Sequence, residues 1–491
     1  RTEERAMARV EEVLGDWSAG QGPLQRKLAD ALRAAIAGGS LPPGTRLPAE
    51  RALARSLAVS RSTVVAALAA LRDEGLVTSR HGSGTRVAVD ARRRLPRTDP
   101  SLALRRNVVA EAFVDPNAGA IDLLGASVEA LPSIGPAVFA EAMADLGPYL
   151  AHSGYHPFGL PELREVVAAH LTHRGAPTGP SEVLITNGAQ QGLALAASLL
   201  LRPGDTVLVE TPTYLTAIDL LRGTGARLAP VATGPEGVDL DALREAIERH
   251  APAMVYLVPT FHNPLGTVMP PSTRRAVAAL AVRHGFTVVE DEALAELSFT
   301  DDPVPPPIAA FAEPGTVLTL GSTSKVLWGG LRVGWVRGSD ELVRRIGRLK
   351  TVADLGSAVP SQVVAMRLMR ELPRYQRERR ALLTASRDAV VAELAEHLPS
   401  FDYALPAGGL SLWLRLPCGN ASELAQVARR HGVAIVPGHL AGPDGGHGNR
   451  VRLPITRLPG ELGEGVRRLA RAWEAYQPAA ERRRTALEVL V

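Results

Sequence analysis

Apolar residues at Leu24, Leu28, Leu32 and Ile36 recur every four positions, which predicts the buried face of a helix ending at Gly38–Gly39. After the turn Leu-Pro-Pro-Gly at 41–44, a second helix is expected from near Pro48, carrying Leu53 and Leu57 inward. A third follows Ser60, placed as its N-cap; Val64, Leu68 and Leu71 face the core, and Gly75 stops it. The period then changes, because Leu76 to Ser79 and Thr85 to Val89 alternate as short strands around His81-Gly-Ser-Gly84. This order predicts a helix-turn-helix followed by a wing. Its third helix offers Arg61, Ser62 and Thr63 in the first turn, where a recognition helix meets base edges and phosphates.

From Asp90 to about Asn117 no apolar period survives, and the arginine-rich stretch reads as a linker. Beyond it, strand-like runs at Glu182–Thr186, Thr206–Val209, Met254–Val258, Thr287–Glu290 and Val317–Leu320 alternate with helical stretches. Such alternation predicts a largely parallel sheet covered by helices, with ligands bound at the carboxyl ends of the strands. A charge-laced helical stretch after Pro360, then 408–416 and 433–438, suits a smaller domain. The expected division is 20–89, a linker 90–117, and a body 118–491 with a small subdomain from about 360.

Composition adds a charge asymmetry. Residues 1–106 carry 19 Lys plus Arg against 11 Asp plus Glu, whereas the remainder carries 36 against 40. A basic head on a slightly acidic body points to a nucleic-acid partner for the head. One cysteine, Cys418, cannot pair within the chain and suits a reducing compartment, so a cytoplasmic protein without membrane spans or a signal peptide is expected.

Lysine usage singles out a site. Only Lys27, Lys325 and Lys350 interrupt an otherwise arginine-based positive charge. A lysine amine, unlike a guanidinium, loses its proton when desolvated and attacks carbonyls. Lys325 lies in Gly321-Ser-Thr-Ser-Lys-Val-Leu-Trp-Gly-Gly330, just past a strand, with glycines that let backbone approach a ligand. The other strand ends complement it. Thr186-Asn-Gly-Ala-Gln-Gln191 opens a helix whose amides suit a phosphate; Glu210-Thr-Pro-Thr-Tyr214 offers an aromatic face; Pro259-Thr-Phe-His-Asn263 offers an amide. Glu290-Asp291-Glu292 offers three carboxylates, of which at least one is expected in solvent and one buried beside a pyridine nitrogen. These are the parts that pyridoxal phosphate requires.

The run from Leu41 to Val87, with Leu-Pro-Pro-Gly-Thr-Arg-Leu-Pro-Ala-Glu-Arg, Val-Ser-Arg-Ser-Thr-Val and His-Gly-Ser-Gly-Thr-Arg-Val, closely resembles the winged helix-turn-helix of the GntR family. The resemblance implies operator DNA contacts from Arg51, Ser60, Arg61, Ser62, His81 and Gly82, while a common recognition-helix arginine falls on Val65. Arg51 equally suits a helix-face salt bridge. From Ile121 onward the chain resembles fold-type I aminotransferases, and head plus body resemble the MocR subfamily of transcription regulators. The fold class implied is multidomain, a winged helix-turn-helix plus an α/β fold-type I aminotransferase-like domain.

By that resemblance Lys325 is the position of the internal aldimine, Asp291 pairs with the pyridine nitrogen, and Asn263 bonds the phenolate oxygen. Tyr214 stacks on the ring, while Ala189, Gln190, Ser322, Ser324 and Arg332 hold the phosphate. Tyr155 matches a tyrosine that reaches the phosphate of a partner subunit, which implies a homodimer; Arg452, with Arg450 as a nearby competitor, matches the clamp for an α-carboxylate. A tyrosine usual after the aspartate falls on Leu294, and Pro454 replaces a small polar residue. The implied function is regulation of transcription by an effector that is an amino acid, an amine or a B6 vitamer. The alternative is a working aminotransferase with a DNA-binding appendage.

Overall fold

The computed structural model describes residues 10, 13–14, 17–18, 22–37, 40–80, 84–89 and 120–476. In the head, helices α1 (Leu24–Ala37), α2 (Glu50–Ser56) and α3 (Arg61–Asp73) precede the antiparallel pair β1 (Val77–Arg80) and β2 (Gly84–Val87). α2 starts two residues later than Pro48, because Ala49 keeps a non-helical backbone (φ −58°, ψ 143°) and Glu50, acidic at the helix start, opens the first turn. The expected stripes of α1 and α3 are buried together with Leu53 and Leu57. Val10, Val13, Leu14 and Trp17 join the same core, so the head begins upstream of the expected boundary at residue 20. The linker 90–117 lies outside the described residues.

The body is built on an eight-stranded sheet. Its strands are β4 (Val183–Thr186), β5 (Thr206–Thr211), β6 (Arg227–Gly234), β7 (Gly237–Val238), β8 (Met254–Leu257), β9 (Thr287–Asp291), β10 (Val317–Ser322) and β11 (Gly334–Arg337). They lie in the order β4-β11-β10-β9-β8-β5-β6-β7. From β10 to β6 all neighbours run parallel, while β11 is antiparallel to both β10 and β4. Both faces are covered, and side-chain alternation divides them. Val207, Val209, Met254 and Tyr256 enter one apolar cluster, whereas Leu208, Val255 and Leu257 enter the other.

A second sheet has the order β12-β14-β13-β3, from β12 (Ser411–Arg415), β13 (Val433–Pro437), β14 (Arg450–Pro454) and β3 (Ile121–Leu123). This corrects the expected small subdomain in two ways. Ile121–Leu123 pairs in parallel with β13, so the first body segment belongs to the second sheet. Conversely, helix Val359–Arg370 buries Val363, Val364 and Leu368 in the cluster that also holds Leu163, Ile185 and Leu327, because its apolar face matches the first core. The helix Leu372–His397 belongs to both, with Leu372, Tyr375 and Leu383 in that core and Val390 and Leu394 in the core of the second sheet. Among the described residues no single helix is long and apolar enough to cross a membrane.

Candidate functional site: a DNA-facing helix and a strand-end cavity

On the head, Ser60 has extended backbone (φ −66°, ψ 149°), and its Oγ accepts from the Thr63 amide at 3.1 Å, capping α3. The Ser62 and Thr63 hydroxyls each lie 2.8 Å from Ser60 Oγ, giving a cluster of small donors at a helix start. Arg51, Ser60, Arg61 and Ser62 are all exposed. Arg61 donates to Glu50 across 3.0 Å, so this expected DNA contact is tied to the first residue of α2. Val65, at 40% exposure on the same helix, places a methyl-bearing surface where the family arginine is common. His81 and Gly82 lie outside the described residues.

In the body, the carboxyl ends of β4, β5, β9 and β10 converge with β14 on a cavity of about 200 Å³. Ala189, Gln190, Tyr214, Asn263, Asp291, Ser322, Ser324, Lys325, Arg332 and Arg452 all line it. Tyr155 does not; it is 66% exposed at the surface. Arg450 is also absent from the lining: it shares a face of β14 with Arg452 but lies two residues further along the strand, opposite Arg415.

At the centre, Lys325 Nζ donates to the Ala126 carbonyl at 2.9 Å. Burial pushes its amine down to about 8, helped by Arg452 and Arg332 and opposed by Asp291. Asp291 accepts from the Tyr256 hydroxyl at 2.8 Å and from the Ala293 amide at 3.0 Å. Burial nonetheless raises its carboxyl above the ordinary range. The expectation that one of the three acids is solvated fails, for Glu290, Asp291 and Glu292 are all buried. The flanking pair is structural. Glu290 accepts from Thr319 at 2.7 Å and from the Ile308 and Ala309 amides, and Glu292 meets Arg174 at 2.9 Å and Arg274 at 3.4 Å.

At one end, Gly188 caps helix α4 (Ala189–Leu200) with φ 85°, and a Cβ there would lie 3.0 Å from the Arg332 guanidinium. Glycine is therefore required twice, for the left-handed backbone and for the close approach. Arg332 donates to the Asn187 carbonyl. Ser322 Oγ donates to Ser324 Oγ at 2.9 Å and accepts from the Ser324 amide. First-turn amides, two hydroxyls and a guanidinium suit a phosphate. Gly330 does not serve a ligand as expected: a Cβ there would run into the Trp328 ring, so its need is packing.

At the other end, Arg452 donates to the Leu124 carbonyl, is 3% exposed, and its Nε has no partner among the described residues. Burial lowers this guanidinium to about 10. A buried cation with an orphaned donor calls for an anion. Sequence reasoning missed the segment Leu124–Ser127, which crosses between Arg452 and Lys325 and carries no motif. It also missed Tyr256, within a strand rather than after it, and Arg379. The latter grips the Val326 and Leu327 carbonyls at 3.1 and 2.8 Å, directly behind Lys325. A signal existed: Arg379 falls on the Tyr375–Leu383 stripe at spacings of four, so it points inward.

Residues 136–469 match the family described as aminotransferase class I and II, and residues 24–87 match bacterial regulatory proteins, gntR family. The uncharacterized HTH-type transcriptional regulator YisV of Bacillus subtilis is 30% identical over 470 residues, covering 91% of this chain and 95% of that protein. The probable rhizopine catabolism regulatory protein MocR of Rhizobium meliloti is 33% identical over 328 residues, 64% of this chain and 65% of its own length. The 2-aminoadipate transaminase of Thermus thermophilus is 37% identical over 331 residues, 66% of this chain and 81% of its own. Among solved structures, LysN, the α-aminoadipate aminotransferase of Thermus thermophilus complexed with N-(5'-phosphopyridoxyl)-L-leucine, superposes with a TM-score of 0.69 at 32% identity. That match spans 77% of this chain and 97% of LysN. The kynurenine aminotransferase of Pyrococcus horikoshii gives 0.70 at 30% identity, over 77% and 96%. With a gntR-type head joined to a class I and II aminotransferase body, and an HTH-type regulator matching about nine-tenths of its length, the chain belongs to the MocR subfamily of transcription regulators.

Proposed function

We propose that this protein is a cytoplasmic, homodimeric regulator that binds operator DNA through its head and pyridoxal 5'-phosphate through its body. Its effector is an amino acid, an amine or a B6 vitamer. The observation that carries the reading is the cavity, where an amine at about 8, a buried acid, a phosphate cradle and a buried arginine whose Nε has no partner among the described residues face one another on a chain with a DNA-binding head. These groups fit the cofactor: the α4 amides, Ser322, Ser324 and Arg332 would hold its phosphate, Asn263 its phenolate oxygen, and Asp291 a proton on its ring nitrogen. When bound, pyridoxal phosphate supplies an aldehyde that captures primary amines and an electron sink. Tyr155, exposed on its own subunit, would serve a partner's phosphate.

Lys325 supplies the attacking amine, since its lowered pKa leaves a useful neutral fraction near neutral pH. Arg452 selects a carboxylate, and in doing so exchanges a neutral carbonyl for a charge-assisted bond. The carbonyl released is that of Leu124, the residue following β3, upstream of which the chain leads to the head. Effector binding thereby favours one arrangement of this segment over another, and that difference in affinity is what moves paired heads on their half-sites.

A second reading, a working aminotransferase, is favoured by the aminotransferase relatives and by a nearly complete set of cofactor residues. Visible spectra of the purified protein during titration with amino acids and amines decide between them. A cofactor band that shifts with one ligand and holds supports the sensor. Keto acid release supports the enzyme, and no band with added cofactor refutes both.

A further inference from the structure

We propose that Asp354, neutralised by Lys350, is a positioning residue that fixes the phosphate-facing turn Asn187–Gln191 from behind. The inference rests on the cofactor reading above. Lys350 is one of three lysines in the chain, and its side chain is wholly buried. It sits in the last turns of the helix Asp340–Asp354 and meets Asp354 one turn on, with Nζ 2.7 Å from Oδ1 and 2.9 Å from Oδ2. The same carboxylate collects three more donors: Asn187 Nδ2 at 3.0 Å, Gln191 Nε2 at 2.7 Å and the Gly356 amide at 2.9 Å. Gln191 then closes the circuit by accepting from the Asn187 amide at 2.8 Å.

Four donor groups on one carboxylate, Lys350, Asn187, Gln191 and Gly356, fill its roughly four accepting sites, which favours one setting of the turn. Burial pushes the Asp354 carboxyl up, but the bonds from Lys350, Gln191 and Gly356 outweigh it and hold it below the ordinary range. The setting matters because Gly188 and the first amides of α4 line the cavity directly beside Asn187, whose carbonyl also anchors Arg332. An anion behind a phosphate site opposes the phosphate. A compact ammonium on that anion cancels the opposition, which accounts for a lysine in a chain that otherwise uses arginine. Gly356 also packs its backbone on His156, where a Cβ would lie 2.6 Å from the carbonyl oxygen. The node therefore anchors the segment that carries Tyr155 as well.

The test uses the full-length protein, stripped of cofactor and titrated separately with pyridoxal phosphate and with pyridoxal, which lacks the phosphate. The readout is the ratio of the two dissociation constants from the visible band. Asp354→Asn is expected to weaken pyridoxal phosphate at least tenfold while pyridoxal stays within twofold, shrinking the ratio tenfold. Lys350→Met, which leaves the anion uncompensated, is expected to shrink it likewise. Should either variant fail to fold, Gln191→Ala removes one arm of the node and is expected to shrink the ratio at least threefold. A ratio unchanged within twofold in the folded variants, or equal losses for both ligands, overturns the positioning role. A wild-type protein that shows no band with either ligand overturns the cofactor reading itself.

Discussion

Lys325→Met is expected to make the cofactor-free protein more stable at pH 7. The amine is buried in a cavity with two guanidinium groups and one acid, and its pKa falls from 10.5 to about 8. At ~1.4 kcal/mol for each pH unit, the protonated folded form is disfavoured by roughly 3 kcal/mol. Methionine keeps the length and loses both the charge and the bond to the Ala126 carbonyl, the latter a loss of about 1 kcal/mol. The net gain is therefore about 2 kcal/mol. Unfolded, the amine keeps its proton to 10.5; folded, it releases it near 8. Between those values the unfolded chain binds more protons, so wild-type stability rises with pH across the window, and the penalty is complete below about 8. Urea denaturation of both cofactor-free proteins at about pH 7 and pH 10 measures the gap. It should be about 2 kcal/mol at the lower pH and mostly gone at the higher, since every other titrating group is common to both. A variant no more stable than wild type at pH 7, or a gap independent of pH, would refute the assignment of Lys325 as a strained, reactive amine.

Arg452→Leu should abolish discrimination between an amino acid effector and its decarboxylated amine. The amino acid loses ~2 kcal/mol, about thirtyfold in Kd by spectral titration, and the amine little; an undiminished preference would sink the clamp. Leu294→Tyr adds a donor beside the cofactor's phenolate oxygen and should lower the pH midpoint of the visible band by about one unit, because a hydrogen bond to the ionised form favours it. An unmoved midpoint would show that the two positions do not meet. Arg61→Ala should weaken operator binding by about 1–3 kcal/mol in a gel-shift assay at fixed salt and relax preference at one base pair. A uniform loss across all sequences would make Arg61 a phosphate contact instead.

The head was legible almost throughout, because its helices are amphipathic with period four and its wing alternates with period two. The residues that upset its expected start, Val10 and Trp17, carry too little pattern by themselves to be assigned to its core. In the body, strand-end residues were readable since buried parallel strands are apolar runs bounded by polar turns. Strand β11, with Gly334 pressed against the Gly188 backbone and Trp335 against Gly321, gave no such signal, for it is four residues long, opens on a glycine and closes on Arg337. The three acids at 290–292 misled because solvation is the default for a charge. Only the fold reveals that Arg174 and Arg274, over a hundred and under twenty residues away, reach Glu292. Leu124–Ser127 was invisible for a different reason: its contribution is made by backbone carbonyls, which every sequence has.

The helix Leu372–His397 is twenty-six residues long, about 39 Å at 1.5 Å per residue. One end is rooted in each core. A single inserted residue near its middle would rotate everything downstream by about 100° and turn Val390 and Leu394 out of their cluster, while Tyr375 and Leu383 stayed in place. Insertions and deletions should therefore be absent from this span in relatives, even where the exposed loop around Asp301 varies in length. The helix behaves as a fixed ruler, and the distance between the Lys325 loop, whose Val326 and Leu327 carbonyls Arg379 holds at one part of it, and Arg452 on the sheet at the other is a quantity that drift in chain length cannot adjust.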